Sequence, residues 1–293
     1  MNRSVRPLAC LTRIIGALVL LALSGCGALR LGYSSAPTLT YWWLDGYVDI
    51  NGEQAPLVRE KLAALYDWHR KTELPAYADT LAKVEPLMAG PVTAEQVCAI
   101  GPLVQEHGRQ FAVGLAGPLS EFTPLLQAKQ LRYLARKYDK NNRKFREEWI
   151  DVTPQELYKL RLEKGVEWTE MLYGRVEETQ KQIIRQNLDR SSYDPRMVFK
   201  EHLRRQSDIL QVLREHSTDG KARSAHVRAE VLALMERLRI SPDAEYRAYF
   251  EKTTAEACAD IAAVHNSTSK AQRANAVKTL QEYQTLMRSM AKD

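Results

Sequence analysis

Helix-start chemistry recurs along this chain and limits what it can become. Thr153-Pro154-Gln155-Glu156 combines an N-cap, Pro at N1 and Glu at N3, each of which satisfies or removes a free N–H of the first helical turn. Thr93 with Gln96 and Asn51 with Gln54 repeat the capping spacing, while Thr123-Pro124, Asp194-Pro195 and Ser241-Pro242-Asp243 repeat the cap followed by Pro. Apolar residues follow at helical intervals, as in Leu157, Leu160, Trp168, Met171 and Leu172, or Val227, Val231, Leu234 and Leu238. Hardly any stretch alternates with period two, and neither Asp45-Gly46 nor Asp219-Gly220 joins two β-branched runs. The pattern predicts an all-α fold, an irregular multi-helix bundle of about eight to ten helices with no significant β-sheet. Interruptions are expected at Gly46, at Pro75, over Gly114 to Pro118, over Ser217 to Gly220 and over Asn266 to Ser269.

With 293 residues, 45% of them hydrophobic and 27% charged, the chain is long enough to bury a substantial core. Fourteen Gly and 12 Pro exclude collagenous and low-complexity classes. No composition shift or regular repeat divides residues 41–293, which read as a single helical domain.

The N-terminus reads as an address. Arg3, Arg6 and Arg13 form an acid-free basic start, and Ile14 to Leu23 is an apolar run of signal-peptide length, too short to span a bilayer. Leu23-Ser24-Gly25-Cys26 then resembles a bacterial lipobox. On that resemblance residues 1–25 are a removed signal, and Cys26 becomes the N-terminus carrying diacylglyceryl and N-acyl chains, palmitate among them. Gly27, where Asp would favour the inner membrane, implies the periplasmic face of the outer membrane. Two or more acyl chains make such attachment stable. Residues 26–40 are expected to form a lipidated tether.

Loss of the signal also changes the charge and cysteine arithmetic. Removing three Arg from 42 Lys+Arg leaves 39 against 36 Asp+Glu, so the net charge falls from +6 to +3. The global basicity no longer argues for nucleic acid. Cys10 leaves and Cys26 is lipidated; Cys98 and Cys258 remain, either as a disulfide or as two separate buried thiols.

Leu31-Gly32-Tyr33, Tyr41 to Asp49, Gln54-Ala55-Pro56, Trp68-His69-Arg70 and Leu74 to Ala78 together resemble a family of Gram-negative lipoproteins known only as a domain of unknown function. Asn142 to Arg146 and the region of Trp168, Gly174 and Gln180 are similar to later parts of it. The resemblance implies a lipid-anchored helical periplasmic protein and supplies no catalytic residues.

Two surfaces stand out. Tyr41, Trp42, Trp43 and Tyr47 follow shortly after Cys26, and either rest at the membrane interface or pack as a lid on the bundle. Lys129, Arg132, Arg136, Lys137, Lys140, Arg143, Lys144 and Arg146 form a basic helix opposed only by Asp139. It is either a contact for phospholipid headgroups, lipopolysaccharide phosphates, cell-wall carboxylates or an envelope protein, or a solvated face paired with Glu147 and Glu148.

Chemistry is less legible. No GxSxG, SxxK, GxGxxG or GxxxxGK[ST] occurs, and the six His at 69, 107, 202, 216, 226 and 265 lack metal-ligand spacing. No metal or cofactor is expected beyond the covalent lipid. His69, inside the family-like stretch, is the first to inspect. Asp45 and Asp49 fall four apart, which suits acid/base work in an envelope hydrolase or a local capping role. A non-enzymatic scaffold or binding module is the leading expectation; the alternatives are that hydrolase and a carrier of an apolar ligand.

Overall fold

The computed structural model describes residue 30, residues 32–217 and residues 224–292. The signal segment 1–25 and Cys26 lie outside the described residues. α1 covers residues 32–48. It is followed by α2 (Ala55–Trp68), α3 (Leu74–Val84), α4 (Ala94–Cys98), α5 (Ile100–Phe122), α6 (Ala128–Trp149) and α7 (Pro154–Tyr173). Then come α8 (Glu178–Arg190), α9 (Pro195–His216), α10 (Ser224–Arg239), α11 (Ala244–Asn266) and α12 (Lys270–Met290). With α2 and α3 taken as one continuous rod and single-turn α4 set aside, the described residues hold 10 helices and no strand, so the fold is all-α.

The caps explain most of the starts. Thr93 and Thr153 each accept from the N3 backbone while Gln96 and Glu156 reach back, and Asp194 and Asp243 cap α9 and α11. Asn51 Oδ1 accepts from Glu53 and Gln54 N–H, and Gln54 Oε1 accepts from Asn51 N–H at 3.1 Å. Gly174, at φ 78°, turns the chain after α7 in a conformation that costs glycine least.

Several expected interruptions take another form. Residues 32–40 are helical, and α1 runs straight through Gly46. Pro75 leaves the rod whole: His69–Glu73 widens to a π turn in which Leu74 N–H reaches His69 O, which accommodates the missing Pro75 donor. The break expected over Gly114 to Pro118 is absent because tertiary packing holds α5 together. Ala116 is sealed against Val227 and Val231 of α10, and Trp68 lies so close that a Cβ on Gly114 would meet its ring at 2.8 Å. Thr123-Pro124 makes a 3-10 turn, Thr123 Oγ1 donating to Leu119 O, and α6 starts instead from Gln127 paired with Gln130.

The interior is divided into small apolar clusters. Tyr41, Val58 and Leu62 join α1 to α2; Ala116, Val227 and Val231 join α5 to α10. Met88, Tyr173, Ala276 and Leu280 hold α7 and α12 near α3, and Val176, Ile184 and Val264 join α8 to α11. Two buried glutamine pairs link helix starts across the fold. Gln54 and Gln130 exchange amide bonds of 3.0 and 2.8 Å, and Gln180 and Gln272 exchange bonds of 2.7 and 3.0 Å. Each Nε2 also donates to a carbonyl five residues before its partner, at Leu125, Asp49, Ser267 and Arg175. Each Oε1 accepts from its own helix cap. Every polar atom of all four buried amides is thereby satisfied. Of the two cysteine readings the disulfide is the one present: Cys98 of α4 bonds Cys258 of α11, with Cα atoms 5.4 Å apart.

Candidate contact surface

α6 turns Leu131 and Leu134 inward and stacks Phe145 on Phe199 of α9, with ring centroids 5.4 Å apart. Its outer face carries the basic residues: Lys137 is half-buried and the other seven are exposed. Lys144 pairs with Glu148 at 3.6 Å and Arg146 with Asp151 at 3.3 Å. Lys129, Arg132, Arg136, Lys137, Lys140 and Arg143 have no acid within ion-pair distance among the described residues. Glu148 therefore answers Lys144 alone. Arg136 and Lys137 lie instead over Tyr133, at 5.7 and 5.2 Å from its centroid.

Where α6 ends, Arg146 and Ile150 meet Arg196, Phe199, Lys200, Leu203 and Arg204 of α9 around an open cleft of about 650 Å³. Its wall is apolar through Ile150, Phe199 and Leu203, and its rim carries four cations. Lys200 is held by Glu245 at 2.6 Å, and Arg204 by Asp208 at 2.7 Å and Glu201 at 2.8 Å. Arg196 has no acid in reach among the described residues. Only Arg146 of this cleft was singled out by sequence, because the other cations come from a helix that meets α6 only in the fold. A second open cleft, about 820 Å³, lies around Gly174, Gln272 and Asn275.

The aromatic quartet divides. Tyr41 is buried against Val58 and Leu62 with the Arg59 guanidinium 3.6 Å from its ring centroid, whereas Trp42 and Trp43 are 60% and 59% exposed. Tyr47 sits between Trp43, at 4.7 Å between rings, and Asn141 of α6, whose Nδ2 donates to its hydroxyl at 2.7 Å. Asp45 Oδ1 accepts from Ile50 N–H at 2.8 Å, and Asp49 is exposed at φ 57°. The Asp45 carboxylate thus serves the turn after α1, the Asp49 carboxylate stands exposed in that turn, and neither lines a cleft.

His69 does have partners that spacing alone could not reveal. Its Nδ1 bonds the Tyr33 hydroxyl at 2.8 Å, and burial holds its pKa below the ordinary value. One turn on, Glu73 is 2% exposed, with Oε2 3.5 Å from Nδ1 of His107; His107 Nε2 in turn bonds Thr80 Oγ1 at 2.7 Å. Burial, then the charge of Glu73, raises the Tyr77 hydroxyl pKa. A carboxylate beside an imidazole suits proton transfer, but neither cleft is lined by this pair. Glu73 falls four residues after His69, which was the one available sequence signal; His107 arrives from another helix. Among the described residues no group of three or more His, Cys, Asp or Glu could hold a metal, and no helix is long and apolar enough to cross a membrane.

A family model described as a family of unknown function, DUF6279, matches residues 46–236, about two thirds of the chain. The chain belongs to this family. The DUF6279 region takes in α2 to α9 and most of α10, hence the basic stripe, the cleft, Glu73 and His107. It stops short of α11 and α12, and begins after Trp42 and Trp43. No curated protein and no solved structure matches the chain.

Proposed function

We propose that this DUF6279 protein is a lipid-anchored, non-enzymatic binding module of the bacterial envelope. It is held through acylated Cys26 at the periplasmic face of the outer membrane and presents α6 to an anionic partner. The observation that carries the reading is the exposed row Lys129, Arg132, Lys140 and Arg143, cations with no acid within ion-pair distance among the described residues. A helix face that needed only solubility would gain a few tenths of a kilocalorie from each interleaved acid. The row leads towards a cleft with an apolar wall and a cationic rim, so the matching partner joins a phosphate or carboxylate to an apolar portion, as membrane lipids and lipopolysaccharide do. The disulfide supports an oxidising compartment. Asp45 is bonded into the turn after α1 and Asp49 stands exposed, with neither in a cleft, which favours a binding role over the hydrolase alternative.

Crosslinking in intact envelopes, followed by mass spectrometry, tests the contact. The variant R132E/R136E/R143E/K144E should lose the partners or lipids captured by the parent; an unchanged set removes α6 as the contact. The Cys26→Ser variant should leave the membrane fraction and lose the mass of its acyl chains; a membrane-bound chain of unshifted mass refutes the anchor.

A further inference from the structure

The face of α1 that carries Trp42 and Trp43 has a composition unlike the rest of the surface. Residues 31–44 contain no charged side chain, and on the outer face Leu39, Trp42 and Trp43 are each about three-fifths exposed, at i, i+3 and i+4. Tyr41, on the opposite face, ties the helix to α2, so the tryptophans are held outward by packing. Cations with no ion pair among the described residues flank them on both sides. Arg59 of α2 lies 6.0 Å from the Trp42 ring. On the other flank Tyr47 touches Asn141, which places Lys137, four residues before it on α6, along the same edge, with Lys140 next to it. Trp168 of α7 is a useful contrast: it is 70% exposed, yet Glu167 and Glu170 stand beside it in sequence.

We infer that Leu39, Trp42 and Trp43 form a docking face for the bilayer surface, seated at headgroup level, with Arg59, Lys137 and Lys140 meeting anionic lipid headgroups around them. Indole favours this depth because its ring is apolar and its N–H is polar. The occupant is a membrane because the chain before this face ends in the apolar run and the lipobox-like Cys26, only 16 positions from Trp42. The docking rests on the anchored reading for bringing α1 to the bilayer, and adds a second, orienting contact that turns the α6 edge towards the lipid.

Tryptophan quenching in vesicles tests it. The full chain is purified from membranes in detergent and reconstituted into vesicles of phosphatidylethanolamine and phosphatidylglycerol brominated at a shallow acyl carbon. The parent should be quenched, and W42F/W43F should lose most of that quenching while Trp68, Trp149 and Trp168 remain. R59E/K137E/K140E should be quenched less than the parent on these vesicles and equally on purely zwitterionic ones. A chain that floats with the vesicles but shows the same quenching with and without Trp42 and Trp43 keeps the anchor and overturns the docked face. A chain that does not float overturns both. Equal quenching of the charge variant and the parent on anionic vesicles removes the headgroup contact. If a variant fails to melt like the parent by circular dichroism, the parent decides alone in a second set of vesicles brominated near the acyl terminus, where quenching equal to or stronger than at the shallow carbon refutes the docking.

Discussion

Gln54 with Gln130 and Gln180 with Gln272 solve one packing problem twice, at helix starts in the two halves of the chain. In both, each glutamine closes the cap three residues before it and then spends its amide N–H groups on its partner and on the partner's approach loop. The surroundings differ. Gln130 is fully buried and Gln54 is 4% exposed, and the loop before Gln54 holds Asp49 in a left-handed conformation. Gln272 is 8% exposed, the loop before Gln180 uses Gly174 for its turn, and the adjacent α11 is also fastened by the disulfide and by buried His265. The same local motif therefore carries different weight: the first half relies on its amide pair, whereas the second shares the task with a covalent bond.

The largest expected effect comes from removing that bond. C98S/C258S frees a link spanning 160 residues, worth about 5 kcal/mol on the chain-entropy view. Urea denaturation should show this loss, and hydrogen exchange should find α11 and α12 loosened before α2 and α6. Equal loosening of both halves would show that the bond does not hold the second half in particular.

Next come the amides. Gln130→Ala strands the Gln54 side chain, Asp49 O and Gln127 N–H in a buried site, a loss of about 4 kcal/mol at typical unsatisfied-group costs. Gln272→Ala strands the matching set, the Gln180 side chain, Arg175 O and Ser269 N–H, and because Gln180 is only 1% exposed the loss should be of the same order. A much smaller loss for Gln272→Ala in denaturant titrations would show that the disulfide and His265 hold the second site in place of its amides.

Acid should weaken both halves by a smaller amount. His69 in the first half and His265 in the second are held below the ordinary value of 6.5, chiefly by burial. His265 Nε2 donates to Gly90 O at 2.6 Å, which leaves Nδ1 to accept from the Tyr173 hydroxyl as a neutral ring. Below 6.5 the unfolded chain takes up protons that the folded chain resists, so this contribution is complete above that value and is lost as pH falls through it. Each ring accounts for at most about 1.4 kcal/mol per pH unit. Melting temperatures measured at about pH 7.5 and about pH 5.5 should fall towards acid; a rise would contradict the assignment. The smallest effect belongs to Asp49→Gly, which gives the first loop the glycine of the second. Relief of a left-handed non-glycine residue is offset by greater chain entropy, so stability should change by less than about 1 kcal/mol, as circular-dichroism melting can check.

Legibility follows the range of the interaction. The Thr93, Thr153 and Asp194 starts were readable because a cap acts across three residues. Gly114 to Pro118 misled because the sequence signal is local and the forces that override it come from Trp68 and Val227. The candidate surface was half legible. Its α6 cations are consecutive turns of one helix, but the lack of acids in reach of six of them among the described residues, the α9 side of the cleft and the partition of Tyr41 from Trp42 and Trp43 all depend on neighbours remote in sequence. The same holds for Glu73 with His107 and for the four glutamines, which read in isolation as ordinary cap residues.

By itself, then, the order of amino acids determined the helical class, most helix starts and which cations share a face, because these depend on backbone donors and on a period of 3.6 residues. Long-range packing sets which helix start meets which, that Cys98 reaches Cys258, and which aromatics are sealed or left facing outward. Periodicity states what lies on a face, and only the packed chain supplies what lies against it.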